Sequence, residues 1–199
     1  MTSKDWRPLF RDALVTATVA LLVPVWLPAW VERRVGRGKG WFVFGAELVS
    51  LVPGKPGIFV RRAYYRMTLD ACATDVHVGF GTLFAHPDAE VQSGVYLGSR
   101  CTIGKAVLGR DATIGSNVDI LSGRRQHNFG RAGVAVQRQG GAFTPVRIGE
   151  NCWLGNSTVV MADIGDASVI GAGSVVVKPI PPHSVAVGNP AAAIRSMAA

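Results

Sequence analysis

Four histidines (77, 86, 127 and 183) and three cysteines (72, 101 and 152) are the side chains suited to proton or acyl chemistry near neutral pH. His127 draws attention first. It sits in residues 121–146, LSGRRQHNFGRAGVAVQRQGGAFTP and the following Val, a stretch with four Arg that breaks a pattern kept on both sides of it. An imidazole placed there can take the proton of a hydroxyl as a general base. The competing reading is a solvated loop histidine without a task. His86, in FAHPDAE, could share a site with His127 or could simply open a coil. Asp119 lies just before the same stretch and could orient the His127 imidazole; a solvated carboxylate is the plainer reading. His77 reads as structural. The cysteines show neither metal-ligand spacing nor a paired framework, which points to a reducing compartment.

The pattern that 121–146 interrupts is a repeat. Aliphatic or aromatic residues recur at Val78, Phe84, Val91, Leu97, Ile103, Leu108, Ile114 and Ile120, and again at Ile148, Leu154, Val160, Ile164, Ile170 and Val176. The step is usually six. A glycine often follows at once, as at 79, 98, 104, 109, 115, 149, 155, 165 and 171. Four places on comes a small residue: Thr82, Val95, Cys101, Val107, Ala112, Val118, Cys152, Thr158, Ser168 and Ser174. A hexapeptide period of this kind describes a three-faced β-helix. One apolar residue per face fills the axis, a small residue fits beside it, and glycine is expected to permit the corner. A single hexad cannot bury its own apolar side, so the coils must stack. Cys101 and Cys152 fall in the small inward slot and read as core. Cys72 precedes the repeat and has no assignment.

The first 70 residues differ in kind. They hold eleven Lys and Arg against five Asp and Glu, +6, whereas residues 71–199 hold ten against eight, +2. Aromatic and apolar residues crowd these charges, which suits an anionic membrane surface better than nucleic acid, and no nucleic-acid motif is present. Ala13 to Val31 is a run of nineteen uncharged residues, about bilayer length as a helix. Trp26, Trp30 and Trp41 fall where an aromatic belt would sit, and Arg33, Arg34, Arg37 and Lys39 would mark the cytoplasmic side. A cleaved signal peptide fits less well, because the cations follow the apolar run. Pro24 and Pro28 suggest a kinked or re-entrant path. Trp41 to Val52 is too short to span. Ile58 to Leu69 reads as an amphipathic helix, with Phe59, Val60, Ala63, Tyr64 and Met67 on one face and Arg61, Arg62 and Arg66 on the other. Such a helix lies in a membrane interface, or packs on the next domain with a solvated basic face.

The hexads, the Cys152-Trp153-Leu154-Gly155 coil after the loop, IGAGSVV at 170–176 and VKPIPPHSVAVGNPAAAIR at 177–195 together resemble the left-handed β-helix acyltransferases. The nearest in kind are galactoside and xenobiotic acetyltransferases. The likeness covers roughly residues 76–195. LVPGKPG followed by RRAYYR is similar to acetyltransferases assigned to colanic-acid and exopolysaccharide biosynthesis. The resemblance implies a left-handed parallel β-helix, acetyl-CoA as co-substrate and a homotrimer with CoA along the seam between prisms. It implies that His127 is the general base and Trp153 part of the acceptor pocket. Asn156, Ala172 and Val177 would line the pantetheine arm, with Lys178 and Arg195 at the nucleotide phosphates. No metal is called for. The chain lacks the acceptor-binding residues of the galactoside enzymes, and its loop reads SGRRQH in place of several His, so the acceptor stays open.

The expected organisation is a membrane-associating helical segment at 1–70, a β-helix acyltransferase domain at 71–178 with its excursion loop at 121–146, and a CoA-side tail at 179–199. The expected activity is O-acetylation of a saccharide, free or lipid-linked, on the cytoplasmic membrane face. Alternatives are an amino-sugar N-acetyltransferase, an acyl-carrier-protein donor, a carbonic-anhydrase-like β-helix and a non-catalytic trimeric scaffold.

Overall fold

The computed structural model describes residues 6–36 and 38–197, with side-chain environments from residue 12 onward. Four helices precede a parallel β-solenoid: α1 (Trp6–Leu21), α2 (Val23–Val35), α3 (Gly40–Ser50) and α4 (Gly54–Thr68). Arg37 of the basic run lies outside the described residues.

The solenoid is a left-handed β-helix of about six coils. The coils lend short strands to three sheets, whose coil-to-coil pairings are parallel; only the last two strands of the second sheet pair antiparallel. The first sheet stacks Ala71–Cys72, Glu90–Val91, Ala106–Leu108 and Val146–Ile148. The second runs through seven strands, from His77–Val78 to Ser184–Gly188 and Ala191–Ser196. The third holds Leu83–Phe84, Thr102–Ile103, Asp119–Ile120, Val159–Val160 and Val175–Val176. All the apolar positions read from the hexads are buried along the axis, each 2% exposed or less. Burial of an aliphatic side chain of this size contributes about 1.5–3 kcal/mol. The small slot also holds, with one slip. The step from Ile103 to Leu108 is five, so Ala106 takes the inward place and Val107 is only half-buried. The coils run past residue 178: Ile164 bridges to Ile180, and Val185 pairs with Val169. What was read as a tail from 179 thus begins as one more coil.

Glycine serves the coils differently from the expected way. The glycines that follow the aliphatic residues have no positive φ. The left-handed backbone falls instead on the residue three places after the aliphatic one: Gly at 81 (72°), 94 (75°) and 173 (70°), but Arg100 (58°), Asp111 (57°), Asn117 (57°), Asn151 (52°), Ser157 (59°), Ala167 (52°) and His183 (56°) elsewhere. The glycines are there because the coils approach closely. A Cβ on Gly98 would stand 2.6 Å from the carbonyl carbon of Gly115, and one on Gly155 would stand 2.5 Å from Ala172 N.

The uncharged run does not make one helix. Pro24 has no N–H to give and its ring crowds the preceding turn, so the chain breaks at Leu22. The indole of Trp26 donates to Val19 O at 2.9 Å across the break. Asp12–Leu21 and Val23–Val35 meet at 78°. No single described helix is long and apolar enough to cross a membrane; this bent pair could by length and composition. Glu32 of α2 then caps α3, accepting from the N–H groups of Gly40 (2.9 Å), Trp41 (2.9 Å) and Phe42 (3.4 Å).

The basic face of the fourth helix is a correction. Arg61 and Arg62 face neither lipid nor solvent; they are 1% and 7% exposed. The first coil ends the solenoid and leaves carbonyls that no further coil can pair. Arg62 Nε donates to Val76 O at 2.6 Å and Arg61 Nε to Val78 O at 2.9 Å. Arg61 Nη1 also donates to Val52 O at 2.7 Å. Arg66 alone of the three is exposed. Tyr64 and Tyr65 are fully buried beside them, and Tyr64 donates to Phe42 O at 2.7 Å. Thus α3 and α4 close the end of the solenoid, and residues 40–70 belong with the coils as much as with the segment before them.

Candidate functional site

The excursion loop leaves the third sheet after Ile120 and re-enters the first at Val146. It therefore springs from the edge between these two sheets. Its root is tied down: Thr144 N donates to Ser122 O (3.0 Å), Ala142 N to Arg125 O (2.7 Å) and Asn128 N to Gly140 O (2.8 Å). Ser122 Oγ in turn accepts from Lys105 N at 2.8 Å. Farther out, the buried Gln139 amide donates to Val134 O (2.7 Å) and Arg131 O (3.2 Å) and accepts from Arg131 N (3.1 Å). Nothing in the repeat signals Gln139, because it organises a segment that lacks the repeat.

Clefts lie on both sides of this root. On the early-coil side, Ala85, His86, Thr102, Asp119, Ser122 and Gln126 line a cavity of about 290 Å³. On the late-coil side, Gly123, Arg125, Thr144, Met161, Val177 and Pro179 line one of about 490 Å³. His127, farther along the loop, lines neither cleft; it is exposed on a third hollow with Arg124, Arg125, Asn128 and Phe129, and Arg124 and Arg125 also line the late-coil cleft.

His86 and Asp119 are thus brought to one cleft, and His127 to a neighbouring one. Lys39, from the turn between α2 and α3, donates to Ala85 O at 2.9 Å and lies 3.4 Å from His86 Nδ1. An ammonium has only donors, so as a hydrogen bond this contact is made by the tautomer with Nδ1 bare and the ring proton on Nε2. Burial first, then Lys39 and Lys105, hold the His86 pKa below its usual value, with Asp88 opposing. The imidazole is therefore neutral at neutral pH. The Phe143 ring packs against it from the loop at 5.2 Å. Asp88 pairs with Lys105 at 2.7 Å. Lys39 and Lys105 were not read as site residues; Lys39 was counted with the basic run, whose sequence position gives no sign that it reaches back to the coils.

Other expected residues are more dispersed. Trp153 is exposed on the second sheet, between Thr113 and Val169, and within one chain does not meet the early-coil cleft. Asn156 and Ala172 lie on the corner between the second and third sheets; Asn156 Oδ1 already accepts from Ser116 N at 2.8 Å. Val177 and Lys178 lie on the far edge of the third sheet, Val177 in the late-coil cleft and Lys178 exposed. These four residues flank the late-coil face of that sheet. Arg195 is exposed on the final hairpin, opposite Val185. His77 stacks on Tyr96 at 4.4 Å. Cys101 and Cys152 are buried, and burial raises their pKa values, as it pushes Cys72 up to about 12. None is an activated nucleophile. Among the described residues, no group of three or more His, Cys, Asp or Glu could hold a metal ion.

Residues 145–178 match the family described as the hexapeptide repeat of succinyl-transferase. That segment carries the hexapeptide repeat of this family. A proposed acetyltransferase of Staphylococcus aureus (strain COL) is 54% identical to the hexapeptide-repeat chain over 55 residues, which is 27% of this chain and 28% of that protein. The chain spans less than half the length of the curated relatives it matches. Among solved structures, a maltose O-acetyltransferase from Clostridium difficile 630 aligns with a TM-score of 0.70 at 24% identity, over 79% of this chain and 86% of that one. A hexapeptide-repeat acetyltransferase from Vibrio cholerae, complexed with acetyl coenzyme A, aligns at 0.56 and 16% identity, over 79% and 86%. At these identities the structural likeness shows the shared fold.

Proposed function

We propose that this hexapeptide-repeat protein is an acetyl-CoA-dependent O-acetyltransferase of a saccharide hydroxyl, working as a homotrimer at the cytoplasmic face of the membrane. The observation that carries the reading is the placement of the His127 loop between two clefts on one edge of the solenoid. The late-coil cleft, with Val177, suits the donor. The early-coil cleft, with His86 and Asp119, suits a polar acceptor. Relatives and structural neighbours named as acetyltransferases, one of them holding acetyl coenzyme A, support the donor.

In this mechanism His127 takes the proton of the acceptor hydroxyl. The hydroxyl oxygen attacks the thioester carbonyl directly, and backbone N–H groups stabilise the tetrahedral oxyanion. The intermediate collapses with loss of the CoA thiolate, which recovers the proton from His127. His86, with its proton on Nε2, offers a donor to an acceptor oxygen and leaves the role of base to His127. Asn156, Ala172 and Val177 contact the pantetheine arm, while Lys178 and Arg195 meet the phosphates. Trp153 reaches an acceptor only across the seam to a neighbouring subunit.

The test is CoA release from acetyl-CoA against a panel of neutral sugars and amino sugars, with the product treated with hydroxylamine. A hydroxylamine-labile ester supports O-transfer. A resistant amide would instead assign amino-sugar N-acetylation. Absence of CoA binding by the intact trimer would leave the scaffold reading.

A further inference from the structure

The helical segment carries a groove that acetyl transfer does not use. Leu27, Pro28, Val31 and Val35 of α2 and Trp41 of α3 line about 540 Å³ of open space. Leu27, Val31, Val35 and Trp41 are each more than a third exposed. The one charged wall residue, Glu32, is occupied by the N–H groups that start α3. The groove is therefore an apolar trough open to its surroundings, of a kind that marks a binding surface.

Its neighbour along the chain is the cation of the early-coil cleft. Lys39 lies two residues before Trp41, and its ammonium reaches Ala85 O and His86. Arg33 is paired with Asp70, and Lys105 with Asp88. Lys39, by contrast, meets a carbonyl and an imidazole, and no carboxylate among the described residues. Lys39 thus links the two regions: it lies two residues from Trp41 of the groove and touches His86 of the cleft.

We propose that the acceptor is a polyprenyl phosphate or diphosphate glycoside. Its chain lies in the α2–α3 groove, its phosphate meets Lys39, and its sugar enters the cleft of His86 and Asp119. The sugar's acetylation rests on the function proposed above; the lipid-phosphate site does not. A free sugar would use neither groove nor cation, and a neutral lipid would leave Lys39 unmatched. A phosphate is matched by a compact point charge such as lysine.

The full-length protein is tested for binding to phosphatidylcholine vesicles doped with undecaprenyl phosphate, against vesicles given the same charge by phosphatidylserine. CoA binding is measured in parallel. The expected result is a clear preference for the prenyl phosphate. Lys39→Ala should weaken that binding about fivefold, the worth of one cation near an anionic surface. The paired change Val31→Ser and Val35→Ser, at exposed positions, should also remove the preference, and both variants should keep CoA affinity. Equal binding to the two vesicle types, or a preference untouched by both variants, would overturn the lipid-phosphate site even with CoA binding intact. Loss of CoA binding in the wild-type protein would instead overturn the acetyl-transfer reading.

Discussion

Lys39 Nζ stands 3.4 Å from His86 Nδ1 and 2.9 Å from Ala85 O, so the turn between α2 and α3 packs against two residues that line the cleft of the early coils. The helical segment thus touches the cleft from outside, through Lys39. As a hydrogen bond, the contact matches the His86 tautomer with its proton on Nε2.

Replacing Lys39 should move the titration of His86. The charged groups facing the ring are Lys39, Lys105 and Asp88; burial first, then the two lysines, hold its pKa below the usual 6.5, with Asp88 opposing. A depressed histidine pKa means that the unfolded chain takes up a proton before the native state does. Its contribution to stability is then present above pH 6.5 and is lost as the pH falls towards the folded pKa. Lys39→Ala removes one cause, so the folded pKa should rise towards 6.5 and the acid loss should shrink. Ring-resonance NMR titration of His86 in the two proteins measures this; an unchanged midpoint would show that the ammonium does not face the ring.

Arg61→Ala should lower stability by about 3 kcal/mol, since it strips charged donors from buried carbonyls of the first coil and of the α3–α4 turn. Arg61→Lys should not restore it, because one ammonium cannot reproduce the geometry of the guanidinium fork. Thermal melting followed by circular dichroism reads the result. A loss under about 0.5 kcal/mol, typical of a surface site, would contradict the capping role.

Two substitutions separate close approach from backbone strain. Gly98→Ala puts a Cβ 2.6 Å from the carbonyl carbon of Gly115 and should cost about 1–3 kcal/mol. Asn117→Gly, at φ 57°, should be close to neutral. Chemical denaturation of both variants gives the comparison. The reverse ranking would mean that backbone conformation at the corner, and not the close approach of coils, sets the need for glycine at position 98.

The repeat made the fold legible, because a period of six places each core residue without knowledge of its partners. It also placed Cys101 and Cys152 in the core, where they are found. Its failures share a cause. Ala106 displaced Val107 because one coil is a residue short. Gly98 is required by the coil that stacks on it, a contact no single hexad contains. Arg61 and Arg62 looked solvent-facing because a helical wheel has no knowledge of unpaired carbonyls at the end of a solenoid. Those contacts also make removal of residues 1–54 a poor way to free the catalytic domain, since it would take Val52 and Phe42 from Arg61 and Tyr64. The loop and His127 were legible as an interruption. Lys39 was not, since only the α2–α3 turn brings it to His86.

Assembly offers a separate test. With CoA along the seam between prisms, the active particle should sediment as a trimer in detergent. A monomer with full activity would contradict a shared site.

The most direct test is the turnover of His127→Ala with acetyl-CoA and an accepted hydroxyl substrate, measured beside CoA affinity. The expected loss is about two to four orders of magnitude, the range for a general base, with little change in CoA binding. Full-rate turnover by His127→Ala would contradict the account and shift the base to His86.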